Sequence, residues 1–489
     1  SVSDTPARQN AGRLAFALAY SYLCSFSAGM WPVKIRSMYS FSRYKTQYKA
    51  NLRLALPVVL TQVGQILVQI ADNVMVGRFG GGDPTPLAAV SFGGSVFFIV
   101  FIATIGLALG LTPLVGELYA RGDRRHSAAY FQNGIAFYTL LGFVAMAVQL
   151  AAVPLMSRMG QPADVVEQAI PYYRMLAYSM PCVMLFFSFK QFLEGVGNTK
   201  AEMATTIVCN LANVGFNWLF IYGNLGFAAM GAAGAGLGTL LSRMLAPVLM
   251  IGYFYSRRRY RVYFDYFAWG NFSWGAVRAL LRMGVPIAMQ MFLEASAFVG
   301  TSIMTGWFDR VAVISAYQIT MTLGNCAFMV VMSIGAATTI RVSHCYGARR
   351  IRELGAAARA SFHLVVAWSL IAALCFIALR NIIPLWFTSN AEAIALASEL
   401  LLYVALYQLM DGIQNVSVGI LRGIQDVRIL IPIALVSYWL FNLPVGYLLG
   451  FVCGMGAKGL VLGFTFGLTC AAVLLIARIR RSIDGLRRV

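Results

Sequence analysis

Charge is what this chain has least of. Of its 489 residues 11% are Asp, Glu, Lys or Arg, against roughly a quarter in a soluble domain. With about 20 apolar residues needed for each membrane crossing, a chain so poor in charge has room for about a dozen spans and for no sizeable soluble domain beside them. Histidine is scarcer still. His126, His344 and His363 are the three present, without HxxxH or HxxE spacing, so neither a metal site nor imidazole catalysis is indicated. The eight cysteines include no CxxC pair and fall in apolar segments, which excludes a disulfide framework or zinc site and reads as reduced packing residues. A P-loop (Gly, four residues, Gly-Lys, then Ser or Thr) is missing, and with it any support for an ATP-driven pump.

Apolar runs are there in quantity: hydrophobic residues supply 59% of the chain. Breaks of Gly, Pro and charge divide them into spans near 53 to 78, 87 to 119, 128 to 156, 166 to 193, 201 to 223 and 228 to 256. A second set follows near 277 to 308, 310 to 345, 355 to 385, 391 to 421, 428 to 451 and 456 to 479. The 38 Lys and Arg that give a net charge of +20 sit in alternate loops. Clusters at Arg121, Arg124 and Arg125, at Arg257, Arg258, Arg259 and Arg261, and at Arg349, Arg350 and Arg352 set the pattern, with Arg422 and Arg428 assigned to the same side. Basic loops stay in the cytoplasm, so both termini are expected there, in a plasma (bacterial inner) membrane. Orientation accounts for the basic surplus, and no nucleic-acid partner is expected.

Residues 14 to 30 are apolar but short, and rich in Ser, Ala and Tyr. A thirteenth span there would break the charge pattern. The stretch reads as an interfacial helix, a signal-like segment, or sequence upstream of a start at Met38. The last reading is favoured, and residues 1–37 are then dispensable.

The chain repeats itself. A shift of about 229 residues lays LALPVVLTQVGQILVQIADNVMVGRFG, around Pro57, over MGVPIAMQMFLEASAFVGTSIMTGWFD, around Pro286. Similar shifts align GLALGLTPLVGELYARGD with IGAATTIRVSHCYGARR, FLEGVGNTK with ILRGIQDVR, and AMGAAGAGLG with GMGAKGLVLG. Four matches in one order mean duplication. Each half holds an even number of spans, so the halves share an orientation and are related by an axis along the membrane normal. The expected fold is an all-α integral membrane protein of about 12 transmembrane helices in two six-helix bundles. The divisions are an N-terminal extension at 1–44, a first bundle at 45–262 and a second at 263–489. A cleft between the bundles is the usual place for a transported substrate.

The segments ADNVMVGRFG, PIAMQMFLEASAF and LLLYVALYQLMDGIQNVSVGILRGIQD resemble the multidrug and toxic compound extrusion (MATE) family, in its NorM-like branch. The resemblance covers about residues 45 to 480. It implies a V-shaped pair of bundles, working as a monomer in membrane lipid, that exports cationic or amphipathic compounds and xenobiotics in exchange for sodium or protons, with no cofactor.

Asp72, Glu294 and Asp411 interrupt otherwise apolar spans. A charge at mid-membrane costs at least about 2.5 to 3.5 kcal/mol, so each must face an interior or a cavity. Glu294, two turns past Pro286, and Asp411, near the middle of its span, can share one depth. Such a pair binds sodium through hard oxygens or holds a proton. The bland alternative is a hydrogen-bond acceptor in a helix contact. By resemblance, Glu294 and Asp411 match the family's second-half cation site, Tyr407 a tyrosine near it, and Asp72 an aspartate that takes a proton and bends the first helix. Asn213 and Asn217, one turn apart, resemble a polar cluster facing Asp72. Some relatives carry aspartate where Asn217 stands, which leaves a complete first-half ion site open, and helix-helix hydrogen bonding is the plain alternative. Met289, Met291 and Phe292 around Glu294 are candidates for an adaptable apolar wall. Two other readings compete. A lipid-linked precursor flippase would need a cationic cleft, whereas the buried charges read here are acidic; a membrane-embedded transferase would need a catalytic motif at the surface, and none appears.

Overall fold

A computed structural model of the protein describes residues 41–79 and 83–488. The apolar stretch at 14 to 30 and Met38 lie outside the described residues. Among those described, every regular element is a helix. Twelve are long and apolar enough to cross a membrane. In the first half they are α1 (Tyr44–Arg78), α2 (Thr85–Ala120), α3 (Arg124–Ala151), α4 (Ala163–Gly195), α5 (Thr199–Tyr222) and α6 (Gly231–Ser256). The second half has α7 (Trp274–Gly306), α8 (Val311–Gly347), α9 (Ile351–Leu379), α10 (Ala391–Gly423), α11 (Leu430–Val452) and α12 (Ala457–Leu486). The third and ninth spans stop five or six residues before the sequence reading placed their ends, at Pro154 and Pro384, whose rings end the ladder and leave the short turns Val153–Met156 and Ile383–Trp386.

Helix ends follow from capping chemistry. With no water in hydrocarbon, each terminal N–H needs a partner from the protein or the interface. Asp123, Asn198, Ser273 and Asn390 supply side-chain oxygens to the first N–H groups of α3, α5, α7 and α10. Three spans are not plain helices. The helix of α2 is interrupted between Ala108 and Leu111, α4 breaks at Ser179 before Pro181, and α11 winds as a π-helix over Leu435–Asn442. Such π-turns cluster at functional positions.

The halves touch through α2 with α7 and α8 and through α1 with α8 and α9; the α2–α7 and α1–α8 pairings are those that a parallel repeat produces when each first helix meets the other half's second. Small residues make the α2–α7 contact. A Cβ on Gly284 would lie 2.4 Å from the Leu107 carbonyl oxygen, one on Gly110 2.8 Å from the Gly284 nitrogen, and one on Gly106 2.5 Å from Ala288 Cα. Gly106 and Gly110 are four apart, as are Gly284 and Ala288, so each helix presents one small-residue stripe to the other. On the other seam Gln62 Nε2 donates to Met329 Sδ at 3.5 Å, and Asn51 donates to Ser361 Oγ at 2.9 Å while accepting from Arg341 Nε at 3.3 Å. His344 Nε2 lies 2.6 Å from the Gly195 carbonyl, and Gln425 bonds to Glu117. These polar ties cluster at the end that carries the basic loops.

The repeat is visible in detail. A Cβ on Gly195 would meet Val115 Cβ at 2.8 Å and the Thr112 carbonyl at 3.0 Å; one on Gly423 would meet Val342 Cβ at 2.7 Å and the Thr339 carbonyl at 3.0 Å. Asn198 and Asp426 are mates in the following loops. Asn198 donates to Tyr253 and Tyr260, while Asp426 accepts from Arg478 Nε at 2.7 Å, Arg478 Nη2 at 3.1 Å and Ser482 Oγ at 2.7 Å. Burial alone would raise the Asp426 carboxyl; the bonds from Arg478 and Ser482 and the guanidinium charge outweigh it and hold the group below the usual carboxylate range. A lowered folded value stabilises above the unfolded carboxylate range, about 3.9, and the contribution is lost as pH falls through the folded value. Asp426→Asn is therefore expected to melt below the wild type at pH 7. That gap should narrow progressively as the pH of the melting buffer is taken below the unfolded carboxylate range toward the lower folded value; a constant gap would exclude the linkage.

Candidate functional site

The second half encloses a cluster of polar side chains. On α10, Tyr407, Asp411, Gln414 and Val418 follow one another at steps of four, three and four, so they share a face. Gln414 and Val418 line a small space of about 10 Å³ together with Gln290 of α7 and Tyr438 of α11. That is below the roughly 300 to 1,000 Å³ of drug-sized pockets and suits an ion or water. Glu294 is one turn from Gln290. Its Oε1 accepts from the Tyr438 hydroxyl at 2.9 Å and its Oε2 from Gln290 Nε2 at 2.7 Å. The π-turn of α11 carries Tyr438 into this contact.

Asp411 is 5% exposed, and among the described residues no donor reaches its carboxylate. Glu294 and Tyr407 stand within electrostatic reach of it, so the two carboxylates singled out in the sequence do come together. Tyr407 is buried, and its hydroxyl would lie 2.8 Å from a Cβ on Gly324 of α8. Gln408 and Asn442 are buried on α10 and α11 with both amide ends unpaired, and the Gln414 oxygen is orphaned too. Unpaired buried polar atoms each cost about 1 to 3 kcal/mol. A site that takes up an ion or water answers that cost.

In the first half Asp72 Oδ1 accepts from Asn217 Nδ2 at 2.5 Å, and the same nitrogen lies 3.3 Å from Asn213 Oδ1. Asn213 reaches on to Thr239 and Ser242 of α6, each at 3.4 Å. The cluster also contains a cation that the sequence reading left out. Arg243 of α6 donates to Ser179 Oγ at 2.9 Å, lies 5.0 and 5.6 Å from the Phe97 and Phe101 ring centroids, and acts electrostatically on Asp72.

Two further charged groups escape the sequence reading. Arg422, assigned above to a basic loop, turns inward, and its Nη2 donates to Gln290 Oε1 at 2.9 Å. Lys190 of α4 lies 2.6 Å from Glu202 of α5, which is fully buried, with Glu194 beside them. The expectation that the buried charges are acidic is thus corrected: Lys190, Arg243 and Arg422 each stand with carboxylates. The signal was in the sequence, since Lys190 and Arg243 lie inside apolar spans.

The three proposed wall residues do not form one wall. Met289 and Phe292 are 41% and 43% exposed and three residues apart on one face of α7, whereas Met291 packs into the core cluster. Successive helical residues turn by about 100°, which carries Met291 to another side.

Twelve membrane helices in two like bundles, with carboxylates enclosed inside each, define the architecture of a secondary transporter. The family model MatE matches twice, over residues 57–219 and 286–448, and both bounds differ by the same shift, 286 − 57 = 448 − 219 = 229. The chain belongs to the MatE family of membrane transporters. It is 31% identical over 441 residues to multidrug resistance protein NorM of Photobacterium profundum, covering 89% of this chain and 96% of that one. With the protein of the same name from Vibrio parahaemolyticus it shares 30% over 442 residues, 90% of this chain and 96% of the relative. Among solved structures, an outward-facing multidrug resistance MATE family transporter of the MOP superfamily superposes with a TM-score of 0.82 at 19% identity, covering 91% of this chain and 97% of the other. A MATE in complex with MaD3S gives 0.81 at 19%, with the same coverage.

Proposed function

We propose that this transporter exports cationic or amphipathic small molecules, xenobiotics among them, in exchange for sodium or protons bound at Glu294 and Asp411. The observation that carries the reading is Asp411: a buried carboxylate to which no described residue donates a hydrogen bond, beside a second carboxylate whose oxygens are already oriented by Tyr438 and Gln290. Tyr407 flanks the pair. Two carboxylates with amide oxygens nearby fit sodium, which takes hard oxygen ligands. Among the described residues no three His, Cys, Asp or Glu gather, so the donor set suits an exchangeable monovalent cation better than a tightly held divalent one. Asp72 with Asn213 and Asn217 serves as a secondary polar site in the first half. Met289 and Phe292 remain candidates for drug contact, since they share the exposed face of α7.

On this reading the basic-loop ends and both termini face the cytoplasm at a plasma membrane, and the chain acts as a monomer. The halves divide in the connector that includes the helix Arg258–Asp265. A flippase would require an uncompensated cationic cleft, and here Arg243 and Arg422 each sit beside acid. A membrane potential of about 100 mV supplies about 2.3 kcal/mol for each net charge moved, enough to drive concentration without ATP.

The test is uptake of ethidium into inverted vesicles with sodium and proton gradients imposed one at a time. One of the two should drive accumulation, and collapsing that gradient should release the dye. Accumulation indifferent to both gradients would overturn the antiport.

A further inference from the structure

Arg422 closes α10 at the basic end, where an arginine ordinarily reaches water. Here it turns into the bundle. Its Nη2 donates to Gln290 Oε1, its Nε is buried without an acceptor, and it acts electrostatically on Glu294. Yet it takes neither carboxylate for itself, because the Glu294 oxygens are held by Tyr438 and Gln290 and among the described residues no donor reaches Asp411. Gln290 stands between, its carbonyl toward the guanidinium and its amide nitrogen toward Glu294. The positive charge is thereby fixed beside the site without covering its oxygens.

We infer that Arg422 is a built-in counter-cation that limits the Glu294–Asp411 site to one monovalent cation per transport cycle. The inference rests on the proposed reading of those two carboxylates as the coupling site. A guanidinium stays ionised in proteins, so Arg422 contributes +1 in every state. With both carboxylates ionised the site carries −2, and the sum is −1. A net charge held inside the bundle, away from bulk water, is disfavoured, so filling stops at neutrality, after one sodium or one proton. The remaining titratable groups facing the pair are phenols, Tyr438 from α11, Tyr407 on α10 and Tyr317 from α8, all neutral near pH 7. From α12 the neighbour of Tyr407 is Phe464, which has no charge. By the same count Asp72 and Arg243 sum to zero, so that pair attracts no further cation.

The experiment measures the dissociation constant of ethidium on purified full-length protein, first against sodium with choline as replacement at fixed pH, then against protons at fixed sodium. Linkage makes the slope of log Kd on log cation concentration the number of cations displaced. For the cation that displaces ethidium, the slope should be near one in the wild type and in Arg422→Lys, and near two in Arg422→Gln. Glu294→Gln, which leaves Asp411 balanced by Arg422, should fall to near zero, and the double variant E294Q/R422Q should return to near one. The rescue is independent of whether Arg422→Gln folds alone, because the double variant restores the wild-type sum. A wild-type slope in Arg422→Gln, a slope of two in Arg422→Lys, or no recovery in the double variant overturns the assignment of Arg422. A slope of zero for both cations in the wild type overturns the antiport itself, and this role of Arg422 with it.

Discussion

Asp411→Asn and Glu294→Gln should each abolish gradient-driven export while leaving the protein in the membrane at normal levels. Each exchange keeps the side-chain shape and removes one ion-binding charge. Charged hydrogen-bonding groups contribute about 1.5 to 3 kcal/mol, which corresponds to a loss of roughly tenfold to over a hundredfold in cation affinity. Asp411→Asn is the cleaner test, because among the described residues no neighbour donates to that carboxylate and none would be left unpaired by its loss. Glu294→Gln also disturbs the bonds from Tyr438 and Gln290. The readout is drug resistance in a host lacking its own pumps, at matched expression. Wild-type resistance from both variants would remove the pair from the mechanism.

Gly284→Val should be strongly damaging although it lies away from the carboxylates. Its Cβ would sit 2.4 Å from the Leu107 carbonyl oxygen, a backbone atom with no rotamer to escape into, so α2 and α7 must separate along their shared stripe. Overpacking of this kind costs about 1 to 3 kcal/mol or more, and here it falls on one of the seams that join the halves. Transport should be lost and the melting temperature of the purified protein lowered by several degrees. Gly94→Ala is the control, since a Cβ there meets nothing within 4 Å and should leave both measurements unchanged. If Gly284→Val transports and melts like the wild type, close packing of α2 on α7 is not what holds the halves together.

Much of the fold was legible in the sequence because bilayer thickness sets span length and because Pro, Gly and charge interrupt the spans visibly. The repeat was legible because Pro57 and Pro286 hold the register. Asp72, Glu294 and Asp411 stood out for the cost of acid in lipid. The arginines did not. Positive charge was read as a marker of orientation, and Arg422, at the end of its helix, looked like a loop residue; only the backbone path shows its side chain returning to Gln290. The π-turn of α11 has no local signature either, since Leu435–Asn442 is as apolar as any other span. Grouping Met291 with Met289 and Phe292 ignored the angular step between neighbours on a helix.

The alignment of FLEGVGNTK with ILRGIQDVR puts Glu194 and Arg422 at equivalent places, and the matching approaches of Gly195 to Val115 and Gly423 to Val342 show that the equivalence survives in three dimensions. Two residues in one architectural niche therefore have opposite sign. The copies have become unlike in the charge at that niche, and they are no longer interchangeable parts. A molecule assembled from two first halves would have a glutamate where the counter-cation stands, and one assembled from two second halves would lack Asp72 and Arg243. Duplication supplied the symmetry of the scaffold, and a sign change at one niche divided the labour between its two sides.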